Sequence, residues 1–71
     1  MAVYKIISAS GNLKTINGVY PTFMAAKSNL HRMYNTQMWS GDICSWVNNI
    51  SYSGIVNGIN TTTYIKKFAS I

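Results

Sequence analysis

The chain has 71 residues, 48% of them hydrophobic, and its six Lys/Arg side chains stand against one acidic side chain, Asp42, for a net charge of +5. A chain this short builds one core, so we expect a single domain over residues 1–71. One acidic side chain excludes, within one subunit, the paired carboxylates of most glycosidases and the oxygen ligands of two-metal phosphoryl transfer.

Cys44 is the chain's one cysteine, which excludes an intrachain disulfide and a cysteine-based zinc site. No stretch approaches the ~20 apolar residues of a membrane span. Lys5 interrupts the apolar run near the N-terminus that a signal peptide would need. We therefore expect a cytoplasmic protein that uses no cofactor or metal and does not bind membranes.

The N-terminal part of the chain predicts a β-hairpin. Residues Val3–Ser8 are rich in the β-branched and aromatic side chains typical of strands. The turn sequence Ser10–Asn12 contains glycine and can return the chain as a second strand over Leu13–Ile16. Asn17 and Gly18 tolerate a positive φ, so they predict a further tight turn.

A helix follows Pro21, with Thr22 as its N-cap. The helix is indicated by apolar side chains that recur at steps of three and four, namely Phe23, Ala26, Leu30, Met33 and Tyr34. Asn35 accepts the left-handed conformation that ends helices, so we expect the helix to end there.

Asp42 predicts the start of a second, short helix, because a carboxylate caps amide groups and opposes the helix dipole. Ile43, Trp46, Val47 and Ile50 follow at offsets of three, four and seven, a helical pattern that would place Trp46 in the core. The segment is rich in poor helix formers, so a strand is the alternative.

The last third predicts a second hairpin. Ile50–Val56 and Ile59–Phe68 have strand character and flank Asn57-Gly58, a pair typical of a type I′ turn. The predicted fold class is α+β with the order β-β-α-α-β-β. In that arrangement two hairpins form a small antiparallel sheet, and two short helices pack on one of its faces.

Three side chains are candidates for chemistry, and a structural role is the simpler interpretation of each. His31 could be a general base, but it flanks the apolar stripe of the helix as a boundary residue would. Cys44 could be a reactive thiol, but no basic residue adjoins it in sequence. A Ser-His-Asp triad would have to take Asp42 from its capping role. We therefore predict that the protein is not an enzyme.

Four candidate partner-binding residues belong to the helix and the segment after it. Trp39 and Met38 lie in a polar stretch, and both residue types are enriched in interfaces and hot spots. The alternative is that they fold back over the edge of the core. Arg32, Lys27 and Met24 lie on the outer side of the helix, where they would form a patch for an acidic protein groove.

Two further candidates, Lys66 and Lys67, lie in the last predicted strand beside Tyr64 and Phe68. Cations and rings together could hold phosphates and stack on bases. Strand alternation, however, places the two lysines on opposite faces. A charged strand that resists aggregation is the simpler interpretation.

The chain resembles, in general style, the small accessory proteins of tailed bacteriophages. The features concerned are the hairpin over Tyr4–Ile16, the helix opened by Tyr20–Phe23 and the tail rich in Asn, Ser and Thr. The resemblance implies an adaptor or inhibitor that binds a host macromolecule in the host cytoplasm, and it assigns no site residue.

The sequence thus predicts a non-catalytic binding module that engages a protein partner with an acidic surface through a basic, aromatic surface. Because so short a chain cannot cover all its apolar side chains, a homodimer is a further expectation. The alternative is a small basic nucleic-acid-binding protein that places Lys14, Arg32, Lys66 and Lys67 on phosphates.

Overall fold

The computed structural model describes residues 2–69, which form five β-strands and one α-helix. The elements are β1 (Ala2–Ser10), β2 (Leu13–Tyr20), α1 (Phe23–Trp39), β3 (Ile43–Asn48), β4 (Ser51–Val56) and β5 (Ile59–Ala69). Neighbouring strands are antiparallel, in the spatial order β2-β1-β5-β4-β3. The first and last strands therefore pair at the centre of the sheet.

The predicted fold class is wrong, because the described residues contain one helix in the order β-β-α-β-β-β. The segment predicted as the second helix forms β3 and pairs with β4. Cys44 is buried and Trp46 half-buried, whereas Ile43 and Val47 are 77% and 63% exposed. The buried side chains alternate along the chain, which is the period of a strand and not of a helix.

The first hairpin is longer than predicted, and the turn expected at Asn17 and Gly18 is wrong. These residues lie inside β2, at a shift in its register with β1 that marks a β-bulge. Asn17 donates a hydrogen bond from Nδ2 to Ser8 Oγ. The Tyr20 ring lies against Gly18, where an added Cβ would be 2.7 Å from ring atoms Cε2 and Cζ. The β-bulge thus forms at Asn17 and Gly18, the two residues that the sequence alone predicts as a turn.

The second hairpin has the predicted turn. Asn57 has a φ of +54° and Gly58 a φ of +80°. Positive φ at both central residues is the signature of a type I′ turn, whose twist matches that of the strands it joins. The turn confirms that β4 and β5 form a tight hairpin.

Helix α1 begins as predicted but ends later. Thr22 is the N-cap, and its Oγ1 accepts a hydrogen bond from the Ala25 N–H at 3.2 Å. The expected end at Asn35 is wrong, since the helix continues to Trp39. Gly41, with a φ of +96°, provides the left-handed residue that ends it. Residues 36–39, expected in a loop, are therefore helical.

The C-terminal half of α1 covers part of the edge of β3. The Tyr34 hydroxyl donates to the Cys44 carbonyl oxygen at 3.4 Å. The Cys44 N–H in turn lies 3.4 Å from the Met38 sulfur. Because β3 is an edge strand, groups like these would otherwise be available to pair with another chain. These contacts also explain why the helix extends beyond its predicted end.

The helix crosses one face of the sheet and encloses the core, which consists of Ile6, Ala26, Leu30, Cys44, Tyr52 and Ile65. At its start, Phe23 packs edge to face on Tyr4 with ring centroids 6.0 Å apart. Over residues 2–69 no element covers the opposite face of the sheet. Within the same range, the helix is neither long nor apolar enough to cross a bilayer.

Two candidate binding surfaces

The first surface is the side of α1 that points away from the sheet. Six residues there line a cavity of about 450 Å³, and we call them the outer helix face: Ser28, His31, Arg32, Asn35, Thr36 and Trp39. They recur at helical spacing on the side opposite the buried Ala26 and Leu30. Trp39 is 95% exposed, so its indole makes almost no contact with its own chain.

An aromatic stack anchors the outer helix face to the sheet. The His31 and Trp46 ring centroids are 4.5 Å apart, with the rings inclined by 31°. Trp46 also packs on Tyr34 at 4.7 Å and on Tyr52 at 5.4 Å. The half-buried Trp46 therefore joins the helix to β3 and β4, and this packing fixes the position of the helix surface above it.

The outer helix face is cationic. Arg32 is exposed, and α1 contains no Asp or Glu. The chain's one acidic side chain, Asp42, lies after the helix, where its backbone N–H donates to the Gln37 carbonyl at 3.0 Å. Asp42 thus connects α1 to β3, and its predicted role as the cap of a second helix is wrong.

The second surface is the face of the sheet away from α1, which we call the open sheet face. From the two central strands it receives Val3, Lys5, Ile7 and Ala9 of β1 and Thr62, Tyr64, Lys66 and Phe68 of β5. From β2 it receives Lys14, Ile16 and Val19. From β3 and β4 it receives Ile43, Ser45, Ser51, Ser53 and Ile55.

Two lysines meet on the central strands of the open sheet face, near the end of the sheet where β4 no longer pairs with β5. Lys5 and Lys66 are direct cross-strand partners on β1 and β5. Their ammonium groups lie over the Phe68 ring, 4.5 Å and 5.4 Å from its centroid. Like charges in directly opposed positions destabilise a sheet, and the negative face of the ring offsets part of that repulsion. The chain's one acidic side chain is not on this face.

At the end of the sheet that contains Ala9 of β1, the open sheet face becomes polar. Ala9, Thr62, Ser53 and Ser45 form a row across β1, β5, β4 and β3. A cavity of about 520 Å³ lies along this row. Lys14, the cross-strand partner of Ala9, lies at its β2 end. The open sheet face therefore combines a cationic aromatic half with a hydroxyl-lined half.

The structure does not bring the six predicted partner-binding residues together. Arg32 and Trp39 share the cavity of the outer helix face. Lys27 is half-buried one turn before His31, at the border of that face. Met38 is 43% exposed and directs its sulfur to β3. Of these four helix residues, Arg32 and Trp39 are the two that line the same part of the surface.

Lys66 and Lys67 lie on opposite faces of the sheet. Lys66 is on the open sheet face, whereas Lys67 pairs with Tyr4 on the side of the helix. Sequence reasoning missed Lys5 as a site residue. Because Lys5 alternates with apolar neighbours, its side chain was expected to point away from the core. Nothing in the local sequence, however, indicated that β1 pairs with β5.

The candidate nucleophile has the environment of a core residue. Cys44 is a free, buried cysteine. Burial, and then the negative charge of Asp42, raise the pKa of its thiol, which favours the unreactive protonated form at neutral pH. Within the part of the chain that the structure describes, no three His, Cys, Asp or Glu side chains are grouped to hold a metal ion.

Comparisons of the chain with protein-family models, with curated proteins and with solved structures found no match. The resemblance to phage accessory proteins therefore stays a prediction.

Proposed function

We propose that the protein is a non-catalytic binding module whose outer helix face docks an acidic segment of a protein partner. The observation that supports it most is the 95% exposure of Trp39 at an open surface depression that Arg32 also lines. Trp and Arg are the residue types most enriched in protein–protein hot spots. A guanidinium beside an exposed indole suits a segment that carries a carboxylate next to an apolar side chain.

The energetics of the indole support a docking role. A Trp side chain buries about 150–250 Å² when it is covered. At about 25 cal/mol per Å² this is worth about 4–6 kcal/mol before the entropic cost of association. Because Trp39 contributes almost nothing to the core of its own chain, that free energy is available to a partner.

Charge favours a different protein over a second copy on this face. A two-fold contact centred on the cavity would place the same patch against itself, so Arg32 would meet Arg32 without a carboxylate between them. An acidic partner neutralises the guanidinium instead. The proposal places the protein in the cytoplasm, and the resemblance to phage proteins would make the partner a host protein that is inhibited or recruited.

Site-specific photo-crosslinking tests the proposal. A photo-crosslinking amino acid replaces Trp39 in one variant and the exposed Met24 of the same helix in a matched control. Both are irradiated in nuclease-treated lysate of the cells that express the protein. We expect position 39 to crosslink to a protein with an acidic surface segment, and position 24 not to do so.

Affinity for the captured protein gives the second measurement. Trp39→Ala should weaken binding by at least roughly 30-fold, the effect of a hot spot, and Arg32→Gln should weaken it less. Met24→Ala should leave binding unchanged. Equal crosslinking from both positions, or equal losses from Trp39→Ala and Met24→Ala, would contradict docking centred on Trp39 and Arg32.

A further inference from the structure

We infer that the open sheet face is a second, separate site that binds single-stranded nucleic acid, with Lys5, Lys66 and Phe68 as its principal contacts. This site lies on the opposite side of the sheet from α1 and shares no residue with the outer helix face. Its residues come from both ends of the chain, so it exists only when β1 and β5 are paired.

The first argument is charge. The Lys5–Lys66 pair concentrates two positive charges on the central strands, and no acidic side chain lies on this face to neutralise them. A phosphate bound between the two ammonium groups would remove the cross-strand repulsion. Lys14 extends the positive potential towards β2. The surface therefore favours a polyanion.

The second argument is the position of the rings. Tyr64 and Phe68 lie on the same face of β5, two residues on either side of Lys66. Both rings are half-buried, so neighbouring side chains hold them in place. The Lys5 and Lys66 ammonium groups lie over the Phe68 ring, so a base stacks on Phe68 when these groups move onto its phosphate. At about 3.3 Å per residue, the backbone positions of Tyr64 and Phe68 are each about 7 Å along the strand from that of Lys66. Rings that flank a cation match nucleotides, which each provide a planar base and a phosphate.

The third argument concerns the alternative occupants. A second copy stacked with its two-fold axis through the lysines would set one Lys5–Lys66 pair against another, which is repulsive. A protein partner would favour a continuous apolar patch. Here the exposed Ile16 and Val19 of β2 are separated from the exposed Ile43 and Ile55 by the row Thr62, Ser53 and Ser45, and Lys5 is the direct partner of Val19. Hydroxyl groups suit a sugar–phosphate backbone, and an open sheet with rings is the platform that exposed bases require.

The test is a fluorescence anisotropy titration of the purified full chain against labelled single-stranded DNA and RNA oligonucleotides of mixed sequence. The matched variants are Lys66→Gln and Lys67→Gln, adjacent on β5 but on opposite faces of the sheet. Each removes one positive charge. We expect Lys66→Gln to weaken binding several-fold and to reduce the salt slope of log K by about 0.7. Lys67→Gln should leave both quantities close to wild type.

A ring variant separates stacking from charge. Phe68→Leu should weaken binding by roughly 5- to 150-fold, the range for one stacked base, with an unchanged salt slope. Circular dichroism and the melting temperature identify any variant that fails to fold. Trp39→Ala should bind the oligonucleotides like wild type, because it lies on the other surface.

Four results would overturn the inference. The first two are that no oligonucleotide binds at low salt, and that Lys66→Gln and Lys67→Gln weaken binding equally. The third is that a duplex of the same sequence binds as tightly as the single strand. The fourth is that polyglutamate competes for the protein as well as an oligonucleotide of equal charge. The last result would assign this face to an acidic protein.

Discussion

The two surfaces of this protein present aromatic rings in opposite ways. On the outer helix face, Trp39 is almost fully exposed and has a single guanidinium nearby. On the open sheet face, Phe68 is half-buried beneath two ammonium groups. The helix surface therefore offers an exposed indole beside one charge, whereas the sheet surface places two charges on its central strands and exposes apolar side chains such as Ile16 and Ile43 on its outer strands. Association at the first should depend weakly on salt, and association at the second strongly.

The difference follows from how each element collects its side chains. A helix face is built from one local segment whose residues are three and four apart. A sheet face is built from separate strands, and here the chain's first and last strands meet. Like charges such as Lys5 and Lys66 can therefore become neighbours even though they are far apart in sequence.

The largest expected effect separates the two tryptophans. Trp46→Ala should lower the free energy of unfolding by about 3 kcal/mol, because Trp46 packs on His31, Tyr34 and Tyr52. Trp39→Ala should change it by less than about 0.5 kcal/mol, because Trp39 is 95% exposed. Urea unfolding at equilibrium measures both. Similar losses from the two variants would show that Trp39 packs on its own chain and is not free for a partner.

The second prediction concerns pH and the groups buried beneath the helix. Burial and the charge of Asp42 raise the folded-state pKa of the Cys44 thiol, whereas the unfolded thiol titrates near its usual value of about 8.5. The folded state thus binds the proton more tightly. The resulting stabilisation is complete below the unfolded pKa and is lost as pH rises through the folded pKa. Burial also raises the pKa of Tyr52, so the loss continues at higher pH.

Urea unfolding at a series of pH values from about 7 to 11 measures this loss. Cys44→Ala should remove the first, thiol-dependent part and keep the part due to Tyr52. Lys66→Gln, on the open sheet face, should keep both parts. If the free energy of unfolding of Cys44→Ala falls with rising pH as it does in wild type, groups other than the Cys44 thiol cause the fall.

The smallest expected effect tests the repulsion on the open sheet face. Lys66→Glu replaces a like-charged cross-strand pair with an opposite-charged one, so it should raise the free energy of unfolding by about 0.5 kcal/mol. Lys67→Glu makes the same charge change opposite Tyr4 and lacks this gain. Thermal unfolding at low salt measures the stability of both variants, and high salt should reduce the difference in stability between them. A loss of stability from Lys66→Glu would mean that its contact with Phe68 outweighs the repulsion from Lys5.

Local chemistry made several features predictable from the sequence. The Thr22 cap depends on a side chain and an amide three residues apart. The Asn57-Gly58 turn depends on two adjacent residues that tolerate positive φ. That one copy of the chain cannot pair two carboxylate side chains was evident without any structure. In the candidate sites, Arg32 was correctly expected on the outer side of the helix.

Other features were decided only when distant segments met. Segment 43–50 suits either period, and pairing with β4 together with burial of Cys44 made residues 43–48 a strand. The end of α1 moved past Asn35 because Tyr34 and Met38 contact β3. The partnership of Lys5 and Lys66 required the two ends of the chain to pair. Turns and caps are stabilised by neighbours in sequence, whereas strand pairing and burial depend on contacts that exist only in the folded chain.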